Sequence, residues 1–289
     1  MTFITRFAPS PTGPLHLGHA YSALLAHDLA READGVFLLR IEDTDTSRAR
    51  IAWEEQIYDD LNWLGLTWQT PVLRQSEHLE RYNKVLMSLA DKGLIYPCSC
   101  RRSDIRAALS APQEGVTAPL VYPGLCRGRP MSSRKPGDAL RLHMARALEH
   151  LDAPATLMEV GPLHCGSQVV SMDALLNKTG DAVLGRKEIE TVSYVLAAVI
   201  DDAAQEVTHV IRGADLFDTT PLQVVLQKLL GLPTPVYHHH RLIRDDAGKR
   251  LAKRDDARAI AKFRADGATP ADIREMVGLA PKFERAAQG

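Results

Sequence analysis

Apolar and polar positions change their period along this chain, and each change marks an element. Residues Phe3 to Ala8 form a short apolar run that reads as a buried strand. From Leu17 onward, apolar residues recur at Tyr21, Leu24, Leu25 and Leu29, which is one stripe of a helix. Gly35 is well placed to end that helix. Val36 to Ile41 is continuously apolar apart from one arginine, the pattern of a strand covered on both faces. The first forty residues therefore predict a β-α-β unit with parallel strands and a right-handed crossover.

Trp53, Ile57, Leu61 and Leu64 make a second helical stripe, ending at Gly65. Leu79, Tyr82, Leu86 and Leu89 make a third, with Ser76 as N-cap and Gly93 beyond its end. The texture then changes. Residues 94 to about 180 hold three clustered cysteines, the loop-like "SAPQEGVTAP" and the strand candidates "DALRLHM", "ATLMEV" and "SQVVSM". This stretch reads as an insertion in a sheet domain. Helical patterning returns at Glu190 to Ile200 and again at Pro221 to Leu230. The strand-like "VTHVIRG" lies between them, and "VYHHHRLI" follows before a turn at Asp245 to Gly248.

The chain has 289 residues, 45% of them apolar, which is ample for a substantial core. No apolar run reaches the ~18 residues of a membrane span, and the N-terminus lacks a signal-peptide pattern. A cytoplasmic enzyme is the expectation. A net charge of −1 gives no global sign of nucleic-acid binding. One local basic run, Arg127, Arg129, Arg134, Lys135 and Arg141, fits a solvated loop or an RNA contact equally well. Cys98, Cys100 and Cys126 suggest a metal site in a reducing compartment, with reduced core thiols as the alternative; Cys165 reads as packing.

Ligands of open parallel sheets sit beyond the carboxyl ends of the strands. The loop Pro9 to Pro14 leaves such an end and feeds a helix N-terminus, where free N–H groups and the helix dipole favour phosphate. His16 and His19, three apart in the first turn, are placed to donate to phosphate oxygens. In the triple His238, His239 and His240, alternate side chains of a strand face opposite ways, so the three cannot converge on a metal; one of them is left to face a nucleotide.

"RFAPSPTGPLHLGHA" with "LLRIEDTD" resembles the catalytic domain of the class I glutamyl-tRNA synthetases and their "HIGH" signature. "GKRLAKRDDA" resembles the second signature, the "KMSKS" loop, and "YVLAAVIDDAAQEVTHVIRGADL" the second half of that domain. The likeness covers roughly residues 3 to 260. It implies an α/β fold, a Rossmann-like parallel sheet with an inserted zinc-containing α+β subdomain and a short helical C-terminal segment. The boundaries expected are 1–95 and 181–245 for the two halves of the catalytic domain, 96–180 for the insertion, and 246–289 for the loop and tail.

The resemblance also implies chemistry. L-Glutamate is activated by ATP, with Mg²⁺, at His16, Gly18, His19 and Lys253. The loop positions Arg250, Leu251, Ala252, Lys253 and Arg254 keep the second lysine and lose the usual serine to Ala252. Arg6, Phe7, Ala8, Pro9, Ser10, Glu42, Tyr194 and Arg212 match the glutamate-binding positions; Ala198 stands where an asparagine is usual. A structural salt bridge from Arg6 to Asp43 or Asp45 is the lesser alternative for that arginine.

Only about 35 residues follow Arg254, too few for an anticodon-binding region. The plan resembles a shorter branch of the family, which attaches glutamate to queuosine in the anticodon of tRNA(Asp). That branch completes a Zn²⁺ site with a tyrosine, here Tyr122 beside Cys98, Cys100 and Cys126; water or a distant histidine are the other options. The alternatives for the whole chain are a truncated synthetase charging tRNA(Glu) and a non-catalytic glutamate- or tRNA-binding module. A monomer is the simplest expectation.

Overall fold

A computed structural model describes residues 2–109, 121–187, 191–244 and 259–280. The chain opens with β1 (Ile4–Phe7), α1 (Leu17–Glu32), β2 (Val36–Ile41), α2 (Ile51–Trp63), β3 (Gln69–Arg74) and α3 (Leu79–Asp91). Next come β4 (Ile95–Cys98), α4 (Arg102–Leu109), β5 (Ala139–Leu142), α5 (Met144–Glu149), β6 (Thr156–Glu159), β7 (Gly166–Val169), the single turn α6 (Met172–Ala174) and β8 (Val183–Gly185). It finishes with α7 (Tyr194–Ala204), β9 (His209–Gly213), α8 (Thr220–Leu230), β10 (Val236–His240), α9 (Ile260–Ala265) and α10 (Pro270–Met276). No helix among the described residues is long and apolar enough to cross a membrane.

Strands β1, β2 and β3 pair in parallel, and so do β9, β10 and β6, with β7 antiparallel at the edge. The two halves meet at a seam. Thr208 N–H donates to the Ile4 carbonyl at 2.9 Å, and Ile4 N–H donates to Thr208 Oγ1 at 2.8 Å. β1 therefore lies beside β9, and the strand order reverses between them. Such a switch point opens a crevice at the carboxyl ends of the two central strands. Of the stretch 96–180, β5 joins β4 and β8 in a separate antiparallel sheet, while β6 and β7 extend the main one.

Helix α1 packs closely on the sheet because its deepest face is small: Ala20, Ala23, Ala26 and Ala30 are buried with Leu24. The expected stripe residues Tyr21, Leu25 and Leu29 are only half-buried beside them. α9 and α10 return to this core, burying Ile260, Ile273 and Val277, and Arg274 ion-pairs with Asp28 of α1. A second core gathers α3, α5, α7 and α8.

Three local expectations need correction. α1 ends at Ala33, and Asp34 takes the positive φ of 49°. Gly35 serves instead for close approach, since a Cβ there would lie 2.2 Å from the Phe3 carbonyl oxygen. Ser76 does not cap α3; it sits in a preceding 3₁₀ turn, where its N–H and hydroxyl both donate to Asp43. Cys165 is exposed just before β7 rather than packed.

Candidate active site

The crevice at the β1–β9 seam is a cavity of about 440 Å³, the size of a small-molecule site. The end of β1 gives Arg6 and Phe7, and the loop beyond gives Ala8, Pro9 and Ser10. The start of α1 gives His16, Gly18 and His19; α7 gives Tyr194; β9 gives Arg212; β10 gives His240. These predicted positions, scattered over 200 residues, thus converge. Glu42 lies behind the wall, tied to it by its N–H, which donates to the Pro9 carbonyl at 3.0 Å.

The two histidines are a reciprocal cap. His16 is the N-cap of α1, and its Nδ1 accepts from Gly18 N–H at 3.1 Å. The Nδ1 of His19 accepts from His16 N–H at 3.1 Å, and the rings stack at 3.7 Å. With both Nδ1 atoms accepting, each neutral ring carries its hydrogen on Nε2. Gly18 leaves room for the ring: a Cβ there would meet the His16 side chain at 3.0 Å, a tight contact to which the ring would have to yield. The helix start thus presents backbone N–H groups, the positive end of its dipole and two imidazoles, a constellation suited to phosphate.

Arg6 makes a two-pronged bond to Asp202, at 2.8 and 3.3 Å, and not to Asp43 or Asp45. Asp45 pairs with Arg48 and Arg186. Asp202 also accepts from the fully buried Arg40 at 2.7 Å, and Arg40 reaches Glu42 at 3.4 Å and Asp201 at 4.0 Å. Asp201 is held by Gln75 and Tyr82. Burial alone would raise the Asp202 carboxyl; Arg6 and Arg40 overcome it and hold the group at about 2. Glu42 goes the other way. Burial pushes it up to about 7, against the pull of Arg40 and Arg6 and with the push of Asp202 and Asp201.

Arg212 is built differently. Its Nε donates to His239 Nε2 at 3.1 Å and its Nη2 to Thr220 Oγ1 at 2.7 Å, and it makes no ion pair with a described carboxylate. Of the histidine triple, His239 is buried behind Arg212, and His240 faces the cavity with Ser22 Oγ 2.6 Å from its Nε2. Sequence reasoning missed Arg40, Asp201 and Asp202. The one available signal was an arginine amid the apolar run of β2, which demands buried acids nearby.

The loop positions Arg250, Leu251, Ala252, Lys253 and Arg254 lie outside the described residues. Their flanks are at the cavity: Leu242 and Ile243 line it, and Ala259 bridges to His16.

The thiols of Cys98, Cys100 and Cys126 lie within 4.8 Å of one another. Tyr122 Oη is 3.4 Å from Cys98 Sγ and 3.6 Å from Cys100 Sγ, and it accepts from Cys126 N–H at 2.8 Å. Tetrahedral zinc with ~2.3 Å bonds spaces its sulfurs by about 3.8 Å, so these four groups fit such an ion. Burial opposes ionisation of Cys126, yet hydrogen bonds from the Ser99 backbone and Tyr122 draw its thiol below the ordinary range. The basic run beside them is largely engaged within the protein. Arg127 pairs with Asp181, Arg129 with Asp138, and Arg141 lies 3.8 Å over the Tyr122 ring.

The chain is similar to proteins of one known family. The profile of the family "tRNA synthetases class I (E and Q), catalytic domain" matches residues 2–281. A glutamyl-Q tRNA(Asp) synthetase of Rhodobacter capsulatus is 58% identical over 96% of this chain and 100% of its own length. That of Geobacter sulfurreducens is 41% identical over 90% of this chain and 78% of its own. A crystal structure of a glutamate tRNA ligase from Elizabethkingia meningosepticum, in complex with its amino acid, superposes with a TM-score of 0.75 at 28% identity. That match covers 96% of this chain, which spans only 60% of the ligase. By the profile match, and by identity to one relative covered along its whole length and another covered over 78% of its own, the chain belongs to the class I E and Q synthetase catalytic-domain family, in its glutamyl-Q tRNA(Asp) synthetase branch.

Proposed function

We propose that this protein activates L-glutamate with ATP, without tRNA, to glutamyl-adenylate and then transfers the glutamyl group to queuosine in the anticodon of tRNA(Asp). The observation that carries the reading is the convergence in one cavity of a phosphate-suited helix start, His16 and His19, with two guanidiniums, Arg6 and Arg212. The relatives named for this activity support the acceptor.

In the first step an α-carboxylate oxygen of glutamate attacks the α-phosphorus of ATP, and the bond to the bridging oxygen breaks as pyrophosphate leaves. The reaction asks for positioning and for stabilisation of charge on the phosphate oxygens. The Nε2–H groups of His16 and His19, with the N-terminus of α1, supply donors there. Lys253 is assigned the same task from the second signature, and Mg²⁺ enters with the nucleotide. Arg212, whose charge no described carboxylate neutralises, takes the side-chain carboxylate, and Tyr194 shapes that subsite. Glu42 matches the family's acid for the substrate ammonium; from just behind the Pro9 wall it would release its proton to solvent and balance the ammonium charge as the amino acid binds. Arg6 is held by Asp202 and offers its edge along the wall formed by Phe7, Ala8, Pro9 and Ser10. In the second step a queuosine hydroxyl attacks the carbonyl carbon, and AMP departs.

Cys98, Cys100, Cys126 and Tyr122 would hold a structural Zn²⁺, which would cross-link β4 to the 122–126 loop. The acceptor is tested with labelled glutamate. Label is expected on queuosine-containing tRNA(Asp) and not on the unmodified transcript. Stable labelling of tRNA(Glu) instead would turn the reading to a truncated tRNA(Glu)-charging enzyme.

A further inference from the structure

We infer that Glu159 and His239 form a positioning pair, which orients the Arg212 guanidinium for the side-chain carboxylate of the amino acid. The inference rests on the reading of Arg212 as the clamp for that carboxylate.

Glu159 ends β6 and His239 lies on the neighbouring β10, where Tyr237 and Glu159 are in register. Both side chains have 0% exposure. Glu159 Oε1 accepts two backbone hydrogens, from Gly161 at 2.7 Å and from His239 at 2.9 Å. These fix the carboxylate, and its second oxygen lies 2.5 Å from His239 Nδ1. A carboxylate only accepts, so Nδ1 carries the hydrogen and Nε2 is left with a lone pair. That lone pair receives Arg212 Nε–H at 3.1 Å. The opposite tautomer would leave Nδ1 without a hydrogen for Glu159 and set Nε2–H against Arg212 Nε–H, with Thr220 Oγ1, 3.2 Å away, left to receive it.

The surroundings are cut to this arrangement. A Cβ at Gly161 would fall within 2.7 Å of Glu159 Oε1 and of the His239 backbone, so only glycine admits the approach. Tyr237 stacks on the His239 ring at 5.9 Å, and Phe217 meets it edge-on at 5.1 Å. Thr220 Oγ1 accepts from Arg212 Nη2 at 2.7 Å and donates to the Leu216 carbonyl. Nε and Nη2 are thus engaged, while Nη1 has no partner among the described residues. Burial, with the Arg212 charge adding to it, holds His239 below the ordinary imidazole range, which favours the neutral ring. The contrast with Arg6 is chemical. Arg6 meets its carboxylate directly, whereas a neutral ring separates Arg212 from Glu159. Arg212 is therefore oriented without being neutralised and keeps its charge for a ligand.

Four variants test the pair through glutamate-dependent exchange of pyrophosphate into ATP, with KM read separately for each substrate. Glu159→Gln keeps the shape and can turn its amide hydrogens toward Nδ1, which favours the wrong tautomer. KM for glutamate is expected to rise at least about tenfold, with KM for ATP and the melting temperature near wild type. His239→Gln can place an acceptor at the Nε2 position and should stay within about threefold of wild type, while His239→Asn cannot and should lose about tenfold or more. Arg212→Lys tests the clamp itself. An effect of Arg212→Lys with none of Glu159→Gln overturns the positioning pair and leaves the clamp standing. Equal losses for ATP and glutamate in Glu159→Gln overturn it as well. No effect of Arg212→Lys on KM for glutamate overturns the clamp, and the pair with it.

Discussion

Glu42 sets up a pH test whose sign and size follow from its surroundings. Its side chain is 8% exposed, beside Arg40 at 3.4 Å. Burial lifts its carboxyl from an ordinary 4.5 to about 7. The fold therefore binds this proton more tightly than the open chain does. Below about pH 4.5 the group is protonated in both states and costs nothing. Above that, stability falls with pH until the folded group also ionises near 7. At ~1.4 kcal/mol per pH unit, the accumulated loss is about 3 kcal/mol. Glu42→Gln keeps the shape and removes the titration. Urea unfolding of both proteins from pH 5 to 8 should show the variant gaining on the wild type, from less than about 1 kcal/mol at the acid end to about 3 kcal/mol at pH 8. KM for glutamate should rise in the same variant, because the ammonium loses its acid. A stability difference that stays flat across this range would refute the reasoning, since it would mean the carboxyl titrates normally.

Asp202→Asn strips two guanidiniums of their shared carboxylate and should cost about 3–5 kcal/mol, read from denaturant midpoints. Because the Asp202 carboxyl sits near 2 rather than 3.8, its contribution is complete above about pH 4 and is lost as pH falls toward 2. Gly35→Ala drives a methyl to 2.2 Å from the Phe3 carbonyl and should destabilise by about 1–3 kcal/mol, with the β1–β2 amides losing hydrogen-exchange protection first. Elemental analysis should find about one zinc per chain, lost in Cys100→Ser and released faster to a chelator in Tyr122→Phe. A zinc-free protein of full activity would remove that assignment.

The elements legible in the sequence were those with a strong period and clear punctuation. The opening β-α-β unit needed only its apolar runs and the helical stripe from Leu17, and α2, α3 and α8 were equally plain. β3 was missed because "QTPVLR" carries a proline and polar ends, as an edge strand does. β4 and β8 were missed because four and three residues are too few to establish alternation. The buried face of α1 was misjudged because alanine carries little weight in a hydrophobic stripe, although it is what allows close packing here. At the site, local motifs pointed to His16, His19 and Arg6, but pairing across 196 residues is invisible to any local pattern. Thus Asp202, not Asp43 or Asp45, turned out to hold Arg6. Arg212 was found by resemblance, whereas its support from Glu159 needs strands β6 and β10 side by side.

The central claim is that the crevice between β1 and β9 joins glutamate to ATP. It is tested most directly by glutamate-dependent exchange of labelled pyrophosphate into ATP without tRNA, in the wild type and in His16→Ala and His19→Ala. Exchange is expected in the wild type, with a fall of about a hundredfold in each variant. A wild type that shows no exchange with or without tRNA, or histidine variants that exchange at the wild-type rate, would contradict the account.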